Sequence, residues 1–177
     1  MPNYKYFLGI DPGQSGAISI LNIEGELIKV ISFKNHIRVL WGFKIINART
    51  VAEELKSVIK DFSEVTALIE RVNSYNQGRN GAFNFGANAI GLVLILEVLG
   101  VKEVNSAQPL EWKDKMGVSS KHLGAFNGKD KDKALKKLSG VKANKLFPYF
   151  KFNPSPTADE EESALLAYLC WNSNKGK

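Results

Sequence analysis

The chain reads as one α/β domain built on a mixed five-stranded sheet with helices on both faces. Three observations point there: three β-rich runs in close succession at the start, an alternation of helical and strand periodicity after them, and a length of 177 residues. A chain that long can bury about two thirds of its unfolded surface in a single core. A meander of three antiparallel strands, followed by helix, strand, helix, strand and further helices, adds two parallel strands to the sheet. Residues 1–177 are expected to form one domain, with no internal repeat and no low-complexity tract.

Each element has its own signal. Tyr4–Ile10 is a β-branched and aromatic run that ends in Gly9-Ile10-Asp11-Pro12-Gly13, a buried strand entering a turn. Gly16–Ile23 and Leu27–Phe33 flank Glu24-Gly25 and complete the meander. Residues 34–46, with Trp41 and Phe43, fit neither period cleanly. Asn47 can cap a helix whose Val51, Leu55, Val58, Ile59 and Phe62 share one face. Val65–Ile69 is a short strand that delivers Glu70, and the polar, glycine-bearing stretch from Arg71 to Gly86 reads as a loop. Ala87–Leu99 is a helix apolar around more than one face, which suits either a central core helix or half of an oligomer contact. Val101–Ser106 is the fifth strand, and Pro109 opens a short helix through Lys113. A lysine-rich helix follows from about Asp130 and stops at Phe147-Pro148. Thr157 with Glu160 matches a capping box, so the last helix should run from Ala158 to about Trp171.

Composition narrows the chemistry. A single cysteine, Cys170, excludes an intrachain disulfide and an all-cysteine zinc site, and with only His36 and His122 zinc catalysis is not expected. No run approaches the eighteen or so apolar residues of a membrane span, and Met1–Lys5 lacks the regions of a signal peptide. The expected location is cytoplasmic, the host cytoplasm if the gene belongs to a phage, with no membrane partner. The net charge of +6 is unevenly spread: Lys113–Lys151 holds eleven lysines against three aspartates and no glutamate, so this stretch carries +8 and the remainder −2. Lysines can be plain solvated surface, but their segregation from the acidic residues favours a polyanionic partner.

Four acidic residues stand where hydrolytic metal chemistry needs them. Asp11 and Glu70 end two apolar strands, and Asp159 and Glu162 are three apart near the start of the last helix, on one face with Cβ atoms about 5–6 Å apart. Gathering carboxylates is costly without positive charge among them, and a divalent metal commonly supplies it. Each acid also has a plainer reading. Acidic residues collect in first helical turns because the helix dipole favours them by about 0.3–1 kcal/mol each. Asp11-Pro12-Gly13 is also good turn chemistry. Glu70, closing a strand with core neighbours, is harder to set aside.

These segments together resemble the RuvC family of Holliday junction resolvases, and most nearly its phage RuvC-like and plastid members. The likeness rests on Leu8–Gly13 with Ser15-Gly16-Ala17, on Leu68-Ile69-Glu70, on Ser106–Lys113 with Gln108 and Trp112, on Leu146-Phe147-Pro148, and on Asp159–Ala167, in order along nearly the whole chain. It implies an RNase H-like fold, a homodimer, two Mg2+ ions per site for which Mn2+ can substitute, and paired symmetric cuts in a four-way DNA junction during DNA recombination and repair. Asp11 would bridge both ions, Glu70 would serve one, and Asp159 with Glu162 the other. The family usually has aspartate where this chain has Glu162; the extra methylene moves the carboxylate by about a bond length, and Glu161 substitutes if the helix is rotated. Two divalent ions about 3.5–4 Å apart can activate a water and stabilise the leaving oxygen of a phosphodiester.

The expected DNA contacts are Lys113, Lys129, Lys131, Lys133, Lys136 and Lys137 on phosphates. In the resembled enzymes a lysine of a Lys-Asp stretch lies near the scissile phosphate, and Lys131 is its match here, with Ala134 where serine is usual. In the stretch 73–84, Asn76, Gln77 and Arg79 could read bases and Phe83 could wedge into an opened junction, or the stretch is an ordinary surface loop. Three other functions share parts of the pattern: an RNase H-fold nuclease acting on other branched DNA or hybrids, a non-catalytic junction-binding protein, and the phosphate turn of sugar kinases and actin-like ATPases. The last belongs to much longer chains with an adenosine site that is not found here.

Overall fold

The computed structural model describes residues 4–71, 78–123, 129–153 and 158–175. Five strands form the main sheet: β1 (Tyr6–Asp11), β2 (Ala17–Leu21), β3 (Leu27–Ser32), β6 (Val65–Glu70) and β7 (Glu103–Ala107), in the order β3-β2-β1-β6-β7. β1–β2 and β2–β3 are antiparallel, while β1–β6 and β6–β7 are parallel. The meander and the two added parallel strands are thus as expected. Between β3 and β6 lie a separate two-stranded hairpin, β4 (Ile37–Leu40) with β5 (Phe43–Ile46), and helix α1 (Ala48–Val58). The other helices are α2 (Arg79–Leu99), α3 (Pro109–Lys115), α4 (Lys129–Leu146) and α5 (Asp159–Asn174).

The period of two along each strand divides the molecule into two cores. Leu8, Ile10, Ile18 and Ile20 point to one face, where Val51 and Leu55 of α1 and Leu92 and Leu96 of α2 cover them. Phe7 and Leu21 point to the other, against Ala164, Ala167 and Cys170 of α5. Outside α5, α4 and α3 add a third cluster of Trp112, Ala143, Leu165 and Leu166. Gly9 sets how closely α5 approaches: a Cβ there would lie 2.0 Å from the Ala167 nitrogen and 2.2 Å from the Ser163 oxygen. With backbone against backbone, the Ser19 and Ser163 hydroxyls bond at 2.6 Å across the contact.

Several local expectations are corrected. α2 starts at Arg79, so Phe83 and Asn84 lie on a helix and not in a loop. The ambiguous stretch 34–46 contains the β4–β5 hairpin, turning at Trp41 and Gly42 with φ of 51° and 81°. Asn47 occupies the N-cap of α1 without a side-chain capping bond. The N-cap of α5 is Ala158, at φ 50°, and Glu160 accepts from the backbone and side chain of Asn153; Thr157, the other half of the expected capping box, lies outside the described residues. Contrary to the hydropathy expectation, Gly81–Leu99 is long and apolar enough to cross a membrane by length and composition alone, though Leu92 and Leu96 within it are core residues.

Candidate active site

Strand register brings the first two acids together. β1 and β6 run parallel with Ile10 beside Ile69, so the next residues, Asp11 and Glu70, emerge side by side at the carboxyl ends of adjacent strands on the α5 face. The turn after Asp11 is tight: Gly13 N–H donates to Asp11 Oδ1 at 3.1 Å, and a Cβ at Gly16 would lie 2.1 Å from the Asp11 carbonyl oxygen. Glu70 is held from the far side by Trp112, whose Nε1–H donates to Oε2 at 2.6 Å. Trp112 is fully buried beneath α4 and α5, so this donor is fixed in place.

The second pair comes from the first turn of α5, where Asp159, Glu160, Glu161 and Glu162 are all buried. Helix-dipole preference accounts for exposed acids at a helix start, but not for four sealed ones, because removing a carboxylate from water costs far more than the dipole returns. Glu162 is only 3% exposed and is surrounded by donors. Lys136 Nζ lies 2.6 Å away, Lys113 Nζ 3.2 Å, and Ser139 Oγ donates at 3.0 Å. Lys136 also reaches Asp159 at 3.9 Å. Glu161 faces elsewhere: its Oε1 lies near Gly140, its Oε2 has no hydrogen-bond partner, and burial raises its pKa. Glu162, and not Glu161, therefore shares the lysines with Asp159.

Electrostatics tie the two pairs into one cluster. Burial, reinforced by the charge of Glu70, pushes the Asp11 carboxyl from 3.8 up to about 7, although the Gly13 N–H and Lys136 oppose the rise. Burial also raises Glu70, against the pull of Lys113 and the Trp112 bond. Desolvation would lower Lys136, but Glu162, Asp11 and Asp159 more than offset it and its pKa is raised. Four carboxyl groups face two ammonium groups in this cluster. An oxygen-only donor set, with the Asp11 carboxyl raised by burial and by the neighbouring Glu70, is chemically suited to a hard divalent cation. Among the described residues no three such side chains stand close enough to hold one ion as they are placed, and Lys136 supplies positive charge among them.

Two solved structures are similar over nearly the whole chain. "T. thermophilus RuvC in complex with Holliday junction substrate" shares 16% identity, with 96% of this chain and 98% of that one covered and a TM-score of 0.56. "Thermus thermophilus RuvC structure" shares 17% identity over 96% and 95%, again with a TM-score of 0.56. The chain has the RuvC fold. No protein-family model and no curated protein matches its sequence.

On this RuvC fold, RNase H-like as expected, the lysines separate by position. Lys113 and Lys136 join the acids, whereas Lys131, the sequence candidate for the scissile phosphate, makes no ion pair or hydrogen bond among the described residues. α4 turns Lys136 and Ser139, three residues apart, toward α5, and leaves Lys133 and Lys137 exposed. Asn76 and Gln77 and the side chains of Arg79 and Lys129 lie outside the described residues. Phe83 is 57% exposed, its ring centroid 4.7 Å from that of Phe43 on the hairpin. Sequence reasoning assigned no role to Trp112 or Ser139. The i, i+3 spacing of Lys136 and Ser139 was the available signal for the second, and Trp112 offered none beyond its place in the resembled motif.

Proposed function

We propose that this protein is a structure-selective endodeoxyribonuclease that cuts four-way DNA junctions symmetrically, using divalent metal and acting as a homodimer. The observation that supports it most is the convergence of Asp11, Glu70, Asp159 and Glu162, from three distant parts of the sequence, around Lys113 and Lys136 on a RuvC fold. One of the similar structures holds a Holliday junction substrate.

The four carboxylates would hold Mg2+ or Mn2+, which when bound supplies Lewis-acid activation of water and of the leaving oxygen. The remaining work falls to protein groups. The Gly13 N–H and Trp112 Nε1–H fix the lone pairs of Asp11 and Glu70. Ser139 holds Glu162 from α4. Lys113 and Lys136 are the cations closest to any phosphate that reaches these acids, and the exposed Lys133 and Lys137 continue the positive surface along α4. A second copy would dock on the outer side of α2, where Ile90, Leu94 and Val98 are 64%, 53% and 86% exposed while Leu92 and Leu96 face the core. Two-fold symmetry would then present two equivalent sites to the two equivalent strands of a junction.

The test is incubation with a synthetic mobile junction in Mg2+, scored for paired nicks that a ligase reseals. Asp11→Asn, Glu70→Gln and Asp159→Asn should lower cutting below detection while junction binding persists. Preferential cutting of flaps or RNA–DNA hybrids would reassign the substrate, and metal-independent cutting or none would overturn the nuclease reading.

A further inference from the structure

The β4–β5 hairpin takes no part in the carboxylate cluster, and only its base joins the core. Ile37 and Ile46 pack there, and the Ile46 N–H donates to Asn88 Oδ1 at 2.9 Å. At the tip, Trp41 is 87% exposed and held at φ 51°. Left-handed backbone suits glycine or asparagine and disfavours a tryptophan, and this indole makes no ring contact among the described residues. A disfavoured residue with no compensating ring or polar contact among the described residues marks a place where function sets the choice.

The charge around it is one-sided. Residues 34–50 include Lys34, Arg38, Lys44 and Arg49 and no Asp or Glu. Arg38, Lys44 and Arg49 are exposed and unpaired among the described residues, and Arg38 and Arg49 line one open recess at the hairpin base. The hairpin also stands beside the acids: Gln14, in the turn that follows Asp11, donates from Nε2 to the Lys44 carbonyl at 3.3 Å. Exposed, unpaired cationic side chains attract phosphates, and a solvent-facing indole offers a stacking platform to any unpaired base.

We propose that this hairpin grips the branched DNA substrate, with Arg38, Lys44 and Arg49 on phosphates and Trp41 stacked on a base exposed at the branch point. The inference rests on the nuclease reading and adds a DNA-binding surface to it.

Four variants test it on a labelled four-way junction and on linear duplex of matched sequence, across a range of salt: Trp41→Ala, Trp41→Phe, Trp41→Asn and the triple change Arg38→Ala, Lys44→Ala, Arg49→Ala. Trp41→Ala should weaken junction binding about ten-fold, with a much smaller loss on duplex, and Trp41→Phe should retain most of the affinity. Trp41→Asn should bind as poorly as the alanine variant yet melt no lower than the unaltered protein, because asparagine accepts the left-handed backbone. The triple variant should bind both DNAs less tightly and with a shallower salt dependence, the log–log slope falling by up to about 0.9 for each phosphate that the hairpin no longer neutralises. Affinities and slopes equal to those of the unaltered protein, while that protein still binds and cuts junctions, would overturn the hairpin inference alone. Loss of the dimer in Trp41→Ala would make the tip a protein contact and would also overturn it. An unaltered protein that ignores branched DNA would overturn the underlying reading and this inference together.

Discussion

The Asp11 carboxyl, pushed up to about 7 by burial and by Glu70, makes a prediction separable from catalysis. In metal-free protein the folded state keeps a proton that the unfolded state releases from about pH 4. This group therefore favours folding at low pH, and its contribution fades as pH rises toward 7. Asp11→Asn should raise the melting temperature in EDTA at pH 8 while abolishing Mg2+-dependent cutting; calorimetry of the two proteins checks the first part. Ser139→Ala should behave oppositely, since it removes a donor from the buried Glu162, and a hydrogen bond to a charged group is worth about 1.5–3 kcal/mol. Its melting temperature should fall, and cutting should fall with it.

Among the elements, the packing of α5 on β1 is decisive because it places two acids against the other two. Gly9 permits it, and Gly9→Ala sets a methyl group into the α5 backbone. Overpacking a core typically costs about 1–3 kcal/mol even when side chains can adjust, and here the obstacle is main chain. The variant should melt at least about 10 °C lower or fail to fold, measured by circular dichroism. The main strands, α1 and the late helices were legible in the sequence because each has a clear period and punctuation. The β4–β5 hairpin was not, since Trp41-Gly42 lacks the asparagine or aspartate that usually announces such a turn. The start of α2 was also hidden: Gly81 and Gly86 look like loop residues, and the helix forms there because its later turns are anchored in the core by Leu92 and Leu96. The four acids were readable from their places at strand ends and a helix start. Which lysine meets them was not, because that depends on how α4 is rotated against α5, which turns Lys136 onto Glu162 and Asp159.

For the molecule as a whole, Cys170 and Tyr4 link folding to alkaline pH. Burial pushes the Cys170 thiol from 9 up to about 12, and the hydrogen bond to Glu103 pushes the Tyr4 hydroxyl from 10 up to about 12. The unfolded chain ionises first, so stability should hold to about pH 9 and decline as pH climbs toward 12. For the same reason Cys170 should resist alkylation in native protein at pH 8 and react only on unfolding, which mass spectrometry reads directly. Paired incision further requires two copies: Leu94→Glu with Val98→Glu should give monomers by light scattering and single, unpaired nicks. The proposal as a whole depends on the acid cluster exchanging its internal ammonium for metal, so the sharpest measurement is anomalous diffraction from crystals soaked in Mn2+. Two peaks bounded by Asp11, Glu70, Asp159 and Glu162, with Lys136 withdrawn from Glu162, are expected. An empty cluster with Lys136 still on Glu162 would contradict the proposal.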